Sequence, residues 1–133
     1  MKKILLYTLS TILSLVVLFI GIYILNNGIK SDSSGTITVT LVNEEDKVVS
    51  SKEIEFFEED ALLVLLEENF DNVDFSDGYL KQIGELKEYS NETSLWYISI
   101  LVNGTYSEVG LSLIEVEDGM VISFEMEEYK WEN

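Results

Sequence analysis

The sequence lacks cysteine, histidine, arginine and proline altogether, and these absences remove whole classes of site. Without cysteine there are no disulfides, thiolate nucleophiles or zinc–thiolate sites, and without histidine the usual general base and the commonest metal ligand are missing. The Ser-His-Asp and Cys-His arrangements therefore cannot be assembled. Two carboxylates at the spacing used in glycoside hydrolysis would be weak evidence for an enzyme, because among 25 acidic residues some pair will meet that distance by chance. We expect a protein that is not an enzyme and has no metal site or cofactor.

Positive charge is scarce and unevenly placed. All 25 acidic residues lie at or after Asp32, whereas three of the eight lysines (Lys2, Lys3, Lys30) precede it. Residues 36–133 hold 24 acidic residues and five lysines, a net charge of −19. Such a surface repels phosphate groups, so we expect no nucleic-acid partner.

One long apolar run lies near the N-terminus. Residues 4–25 carry no charge, and at about 1.5 Å per residue a helix of this length spans roughly 33 Å, enough for the ~30 Å hydrocarbon core. Because Lys2 and Lys3 precede the run, the positive-inside rule predicts a single-pass anchor in the cell membrane with the N-terminus inside. The alternative is secretion after signal cleavage, although the apolar region of a signal peptide usually has only about 7 to 15 residues.

These features divide the chain into three parts. Residues 1–25 form the cytoplasmic tip and transmembrane signal anchor. Residues 26–35 are rich in Asn, Gly and Ser, which predicts a flexible linker. Residues 36–130 form an extracellular domain.

The most β-prone stretch is residues 94–110, and Asn103-Gly104 divides it with the strongest two-residue hairpin signal. A type I′ turn there places Val102 opposite Thr105 and Ile98 opposite Val109. Since successive strand residues point to opposite sides, one face is apolar and predicted to be core, with Trp96, Ile98, Ile100, Val102 and Val109. The other face carries the candidate ligand- or partner-binding residues Tyr97, Leu101 and Tyr106.

The remaining elements follow from shorter patterns. Alternating apolar residues predict strands at 36–42, at 48–57 with Val48, Ile54 and Phe56 on one face, at 79–83, and after Met120. A short amphipathic helix is expected after Asp60 as N-cap, with Leu62, Leu63, Leu66 and Phe70 on its apolar side. Residues 71–78 and 84–93 are predicted to be loops.

Three acidic residues in the first of these loops invite comparison with a calcium site. Asp71, Asp74 and Asp77 are spaced by three, whereas an EF-hand loop alternates its ligands. A solvated loop is the favoured interpretation, and a weak calcium site outside the cell is the alternative.

The order of these signals resembles the bacterial transcobalamin C-terminal-like domain over about residues 35–126. The resemblance rests on the leucine-rich helix, Val102-Asn103-Gly104, Tyr106, Gly110, Val116, Asp118-Gly119, Ile122 and Phe124. It implies an α+β, β-grasp-like mixed sheet with one short helix, found as a module of unknown activity in bacterial surface or secreted proteins. In transcobalamin a related domain helps to enclose cobalamin, so binding of cobalamin or another small ligand is implied here only by family analogy. The family usually has an acid after Asp-Gly, where this chain has Met120.

Three functions are consistent with these patterns. The leading hypothesis is a membrane-anchored extracellular module that binds an unknown ligand or protein through Tyr97, Leu101 and Tyr106, because exposed aromatic residues mark recognition surfaces. These rings could instead pack on a neighbouring segment. The second hypothesis is an accessory membrane protein whose helix does the partnering, through the small-residue stripe Ser10, Ser14 and Gly21. The third is small-ligand binding by the family analogy.

Overall fold

The computed structural model describes residues 2–131 and, in the first helix, the side chains of residues 2–20. This helix, α1, covers Lys2–Asn27. Its stretch Lys2–Ile20 has a mean hydropathy of 2.2, is long and apolar enough to cross a membrane, and is not buried against the rest of the described chain. Such a helix near the N-terminus is a candidate for a membrane anchor or a signal sequence. Gly21, the third member of the predicted stripe, lies outside the described side chains.

The chain after α1 combines one short helix with nine strands in the described residues. In chain order the elements are β1 (Gly35–Val42), β2 (Val48–Phe56), α2 (Leu62–Asn69), β3 (Asp74–Ser76), β4 (Tyr79–Ile83), β5 (Leu86–Lys87), β6 (Tyr89–Ser90), β7 (Ser94–Val102), β8 (Thr105–Tyr106), a 3₁₀ turn (Leu111–Leu113) and β9 (Val121–Lys130).

The main sheet has the strand order β2-β1-β9-β7-β6, and β8 pairs with β7 beside β6. The last strand, β9, lies at its centre, parallel to β1 and antiparallel to β7. Strands β3, β4 and β5 form a separate small antiparallel sheet. This mixed sheet with one short helix confirms the predicted α+β, β-grasp-like fold class.

The core lies between the inner face of the main sheet and α2. Alternate residues of β1 and β9 are buried, and the leucines of α2 meet them. Each such side chain stabilises the fold by about 1.5–3 kcal/mol through burial. The predicted apolar faces of β1, α2 and β9 are therefore confirmed, with Ile37, Val39, Leu41, Leu62, Leu63, Leu66, Phe70, Met120, Ile122, Phe124 and Met126 all buried.

Helix α2 begins without the predicted cap. Asp60 Oδ2 accepts a hydrogen bond from the Phe57 amide at 2.8 Å, which closes the turn in front of the helix. The N-cap position is Ala61, which makes no side-chain capping bond. The Asp60 cap prediction is wrong because this carboxylate binds an amide that precedes it in the chain.

Three further local predictions are wrong. Val48 is 62% exposed, because a bulge between Leu41 and Val42 shifts the register of β2. The stretch 84–93 contains β5 and β6, and 71–78 contains β3. Strands of two or three residues are too short to show a period in the sequence.

Part of the predicted linker 26–35 lies against the domain. The Ile29 amide donates to the carbonyl oxygen of Ser112 at 2.8 Å, and the Ser31 amide donates to that of Asp60 at 2.9 Å. Ser31 is only 2% exposed. Glycine and serine composition predicts flexibility, but these backbone bonds do not depend on side-chain type. The chain leaving α1 is thus ordered by the domain it precedes.

Candidate functional site

The turn of the central hairpin has the predicted geometry. Asn103 and Gly104 have φ angles of 50° and 83°, positive at both central positions as a type I′ turn requires. Val102 pairs with Thr105, which confirms the predicted register beside the turn. The Asn103 side chain adds a tertiary contact, since its Oδ1 accepts a hydrogen bond from the Val121 amide at 2.9 Å.

The hairpin is shorter than its sequence pattern indicates. Strand β8 ends at Tyr106, so the expected pairing of Ile98 with Val109 does not form, and Val109 is 46% exposed. The Ser107 hydroxyl donates to the Val109 carbonyl at 2.8 Å and so stabilises a bend there. The rest of the predicted core face is confirmed: Ile98 is buried, and Trp96, Ile100 and Val102 pack partly buried against the core.

The three predicted site residues share the opposite, outer face of the sheet. Leu101 is the cross-strand partner of Tyr106, and Tyr97 precedes Leu101 by four residues on the same side. Tyr106 is 59% exposed, while Tyr97 and Leu101 are half-buried. The structure therefore brings all three together on a surface that solvent reaches.

Glu127 of β9 connects the two tyrosines. It is the cross-strand partner of Tyr97, whose hydroxyl donates to Oε2 at 3.0 Å. The Tyr106 hydroxyl donates to the other oxygen, Oε1. Both oxygens of one carboxylate are thus engaged, and hydrogen bonds to a charged acceptor are the stronger kind. This clamp limits the rotation of both rings.

The same carboxylate makes both phenols harder to ionise. The pKa of Tyr97 is raised, first by burial and then by the hydrogen bond to Glu127 and its negative charge. The pKa of Tyr106 is raised mainly by its hydrogen bond to Glu127, followed by the charge of that residue. At neutral pH both hydroxyls therefore stay protonated and donate their one proton to Glu127, which leaves them unsuited to base or nucleophile chemistry.

Polar groups surround the clamp. The Ser99 hydroxyl donates to the Glu125 backbone carbonyl at 3.0 Å, and the Ser123 hydroxyl donates to the Glu125 carboxylate at 2.9 Å. The outer face therefore presents two aromatic rings and one leucine beside two ordered carboxylates. We call Tyr97, Leu101, Tyr106, Glu125 and Glu127 the tyrosine clamp face.

Acidic residues elsewhere do not gather into a metal site in residues 2–131. No group of three or more Asp and Glu side chains there is arranged to hold an ion. In the stretch 71–78, the Asp77 carboxylate pairs instead with the Lys81 amine at 3.4 Å. The calcium alternative has no support from this part of the chain.

Residues 59–128 match the model of a family described as Domain of unknown function (DUF4430), a stretch of more than half the chain. The chain belongs to the DUF4430 family. The DUF4430 match includes every residue of the tyrosine clamp face. No curated protein matches the chain.

Among solved structures, this DUF4430 protein is similar to a candidate metal-binding protein from Ruminococcus gnavus ATCC 29149, whose crystal structure was determined at 1.30 Å resolution. The two share 19% sequence identity with a TM-score of 0.52, over 71% of this chain and 98% of the other. At this identity the likeness concerns the fold alone, and it supports the mixed sheet described above.

Proposed function

We propose that this DUF4430 protein is a non-enzymatic binding module, held at the outer face of the cell membrane by α1, that recognises its ligand through the tyrosine clamp face. The observation that carries the proposal is the pair of hydrogen bonds from Tyr97 and Tyr106 to Glu127. Ordering a side chain on binding costs about 0.5–1.5 kcal/mol, and a ring that is already held avoids much of that cost.

The chemistry of the face also favours binding over catalysis. Tyrosine offers a large apolar surface with a polar tip, and Leu101 extends the apolar area between the two rings. The ordered carboxylates of Glu125 and Glu127 favour a ligand with a cationic or hydrogen-bond-donating group. The acidic character of the whole domain adds attraction for such a ligand.

Membrane attachment rests on α1 and on the lysines that precede its apolar stretch. Lys2 and Lys3 favour an N-terminus inside the cell, which places the sheet outside. Secretion after cleavage of this segment is the alternative. A Western blot of membrane and medium fractions, with a tag at the C-terminus, separates the two.

The transcobalamin-like resemblance adds cobalamin to the ligands worth testing, and the R. gnavus protein adds metal ions. Neither ligand can be assigned to this chain from similarity alone, since 19% sequence identity to the R. gnavus protein shows a shared fold and not a shared ligand. We therefore include cyanocobalamin and calcium chloride with soluble muropeptides as probes of the full chain in lipid nanodiscs.

Thermal unfolding is the measurement, because a ligand that binds only the folded state stabilises it by about 2.7 kcal/mol at one hundred times its dissociation constant. We expect a probe that raises Tm in the native chain and fails to do so in Tyr106→Ala. Phe57→Ala is the matched control, since Phe57 is an aromatic residue that is 60% exposed and lies between β2 and α2, away from the face. An equal rise in both variants contradicts the site. No rise with any probe contradicts ligand binding by this panel and favours the accessory role for α1.

A further inference from the structure

Two segments of the folded domain contact the chain where it leaves α1. The Ile29 amide donates to the Ser112 carbonyl at 2.8 Å. A methyl group placed on Gly28 would lie 3.6 Å from the Cα of Ser112 and 3.8 Å from the Cβ of Ala61. Lys30 and Ala61 also form an isolated antiparallel bridge. The 3₁₀ turn and the start of α2 therefore lie against the first residues after the helix.

The length of α1 sets the depth of these contacts in a membrane that the helix spans. The charge-free run ends at Leu25, and Gly28 follows three residues later, about 4–5 Å farther along a helix. The headgroup layer on each side of the hydrocarbon core is about 5–8 Å thick. With α1 across the membrane, Gly28 lies within this layer, and Ser112 and Ala61 lie beside it at the same depth.

Both segments expose an apolar side chain next to these contacts. Leu113 follows Ser112 directly and is 47% exposed. Phe57 is 60% exposed and begins the turn before α2, in which the Glu59 amide donates to the Ser31 carbonyl at 2.7 Å. Leucine and phenylalanine are the side chains that surface-bound segments insert at the boundary between headgroups and acyl chains.

The chain between α1 and β1 is held too firmly for the domain to turn freely. Ile29 is bonded to Ser112, and the Ser31 amide donates to the Asp60 carbonyl at 2.9 Å. The Ser31 hydroxyl adds a hydrogen bond to the carbonyl oxygen of Val116 at 3.1 Å. A free tether would let any face of the domain meet the lipid, whereas these bonds keep the same two segments at the end of the helix.

The charges beside Phe57 indicate which lipid fits. Glu58 and Glu59 follow it and are both exposed. Carboxylates are repelled by the negative surface of anionic lipids, so the contact must depend on apolar side chains rather than on charge. A zwitterionic lipid such as phosphatidylcholine is therefore the appropriate probe.

We propose that the domain lies on the lipid surface from which α1 emerges, with Leu113 and Phe57 inserted at the boundary between headgroups and acyl chains. The inference rests on the proposed function only in that α1 spans the membrane. It adds that one fixed face of the domain is covered by lipid.

The absence of cysteine makes the test direct, because a single introduced cysteine can be labelled alone. Full-length Leu113→Cys, carrying the polarity-sensitive fluorophore NBD, is placed in phosphatidylcholine nanodiscs that contain lipid spin-labelled near the headgroup. We expect blue-shifted emission and a loss of fluorescence to the spin label, since an interfacial side chain lies about 5–10 Å deep at the headgroup and acyl boundary. Phe57→Cys is a second, independent position and should behave in the same way.

Two further positions serve as controls. Val48 is 62% exposed and lies at the other end of β2, roughly 30 Å from Phe57 at about 3.3 Å per residue, so a label on Val48→Cys should not be quenched. Ile12→Cys tests the anchor by itself. Ile12 is an exposed residue of the apolar stretch of α1, and its label should be quenched by lipid spin-labelled deep in the acyl chains when the helix spans the membrane.

The outcomes separate this inference from the proposed function. Quenching at Leu113 and Phe57 but not at Val48 supports the inference. Labels at Leu113 and Phe57 that are quenched no more than the label at Val48, while Ile12 is quenched, overturn it and leave the anchor in place. A blue shift at Leu113 without quenching shows that protein rather than lipid covers this residue, and also overturns it. No quenching at Ile12 contradicts membrane anchoring, and with it both the proposed function and this inference.

Discussion

The Ser31 hydroxyl hydrogen-bonds to the carbonyl oxygen of Val116 at 3.1 Å, across 85 positions of the chain, and shares its one proton with the carbonyl oxygen of Ser33 at 2.9 Å. Both residues are buried, at 2% and 1% exposure. This bond ties the segment that leaves α1 to the strand connection before β9. It therefore couples the N-terminal helix to the folded domain.

Replacing Ser31 by alanine should destabilise the domain. The change removes the hydroxyl and leaves the buried Val116 carbonyl without that donor, which costs about 1–3 kcal/mol. Urea unfolding of the full chain in micelles, followed by tryptophan fluorescence, measures the change. Ser33→Ala is the control, since Ser33 is exposed and bonds to the Ser31 hydroxyl through its backbone only, which alanine keeps. Equal stabilities of the two variants would show that the Ser31 hydroxyl does not matter.

Asn103 tests the hairpin turn. Its backbone has positive φ, and its side chain accepts the Val121 amide, so Asn103→Ala loses a hydrogen bond and gains backbone strain. We expect a loss of about 1–3 kcal/mol in the free energy of unfolding. Asn103→Gly relieves the strain but not the lost bond, and Asn103→Asp keeps the acceptor. Both should therefore be more stable than the alanine variant by urea denaturation, and any other order contradicts this account.

Glu127→Gln should lower the pKa of both clamp tyrosines. The negative charge and the charge-assisted hydrogen bonds that raise the pKa of Tyr97 and Tyr106 are lost, although burial still acts on Tyr97. Ultraviolet absorbance of tyrosinate during alkaline titration reports the change. Glu92→Gln serves as the control outside the clamp. A titration of Glu127→Gln that overlays the native curve would show that Glu127 does not interact with the two phenols.

Alkaline pH should weaken the fold through the same residues. Because the folded-state pKa of Tyr97 and Tyr106 is raised, the folded chain holds these protons more tightly than the unfolded chain does. Their contribution to stability is fully present below the unfolded value near 10 and is lost as the pH rises through the folded values. Urea denaturation at a series of alkaline pH values measures the slope. The double variant Tyr97→Phe with Tyr106→Phe should show a smaller slope, and an unchanged slope contradicts the prediction.

Several parts of the fold could be predicted because their cause is local. The alternation in β1 and β9, the leucine spacing of α2 and the Asn103-Gly104 turn each follow from neighbouring residues. The prediction that Asp60 caps α2 was wrong, although its cause is also local. The Asp60 carboxylate can accept either an amide of the first helical turn or the Phe57 amide, and only the folded turn selects the Phe57 amide.

Only part of the candidate site could be predicted from the sequence. Period-two alternation and the turn register were enough to place Tyr97, Leu101 and Tyr106 on one face. Glu127 was missed, because nothing near it in the sequence distinguishes it from the other acidic residues of β9. Its position beside Tyr97 depends on the pairing of β7 with β9, which joins residues 30 apart.

By itself, the sequence determined the apolar N-terminal helix, the hairpin and the faces of its longer strands. These depend on hydrophobicity, turn chemistry and side-chain alternation, which act over a few residues. Only the tertiary structure decided that Ser31 is docked against Val116 and that Glu127 holds two tyrosines. Each of these side-chain contacts depends on which distant segments lie side by side, and that is decided by backbone hydrogen bonds that every residue type except proline can form, so it leaves no local signal in the sequence.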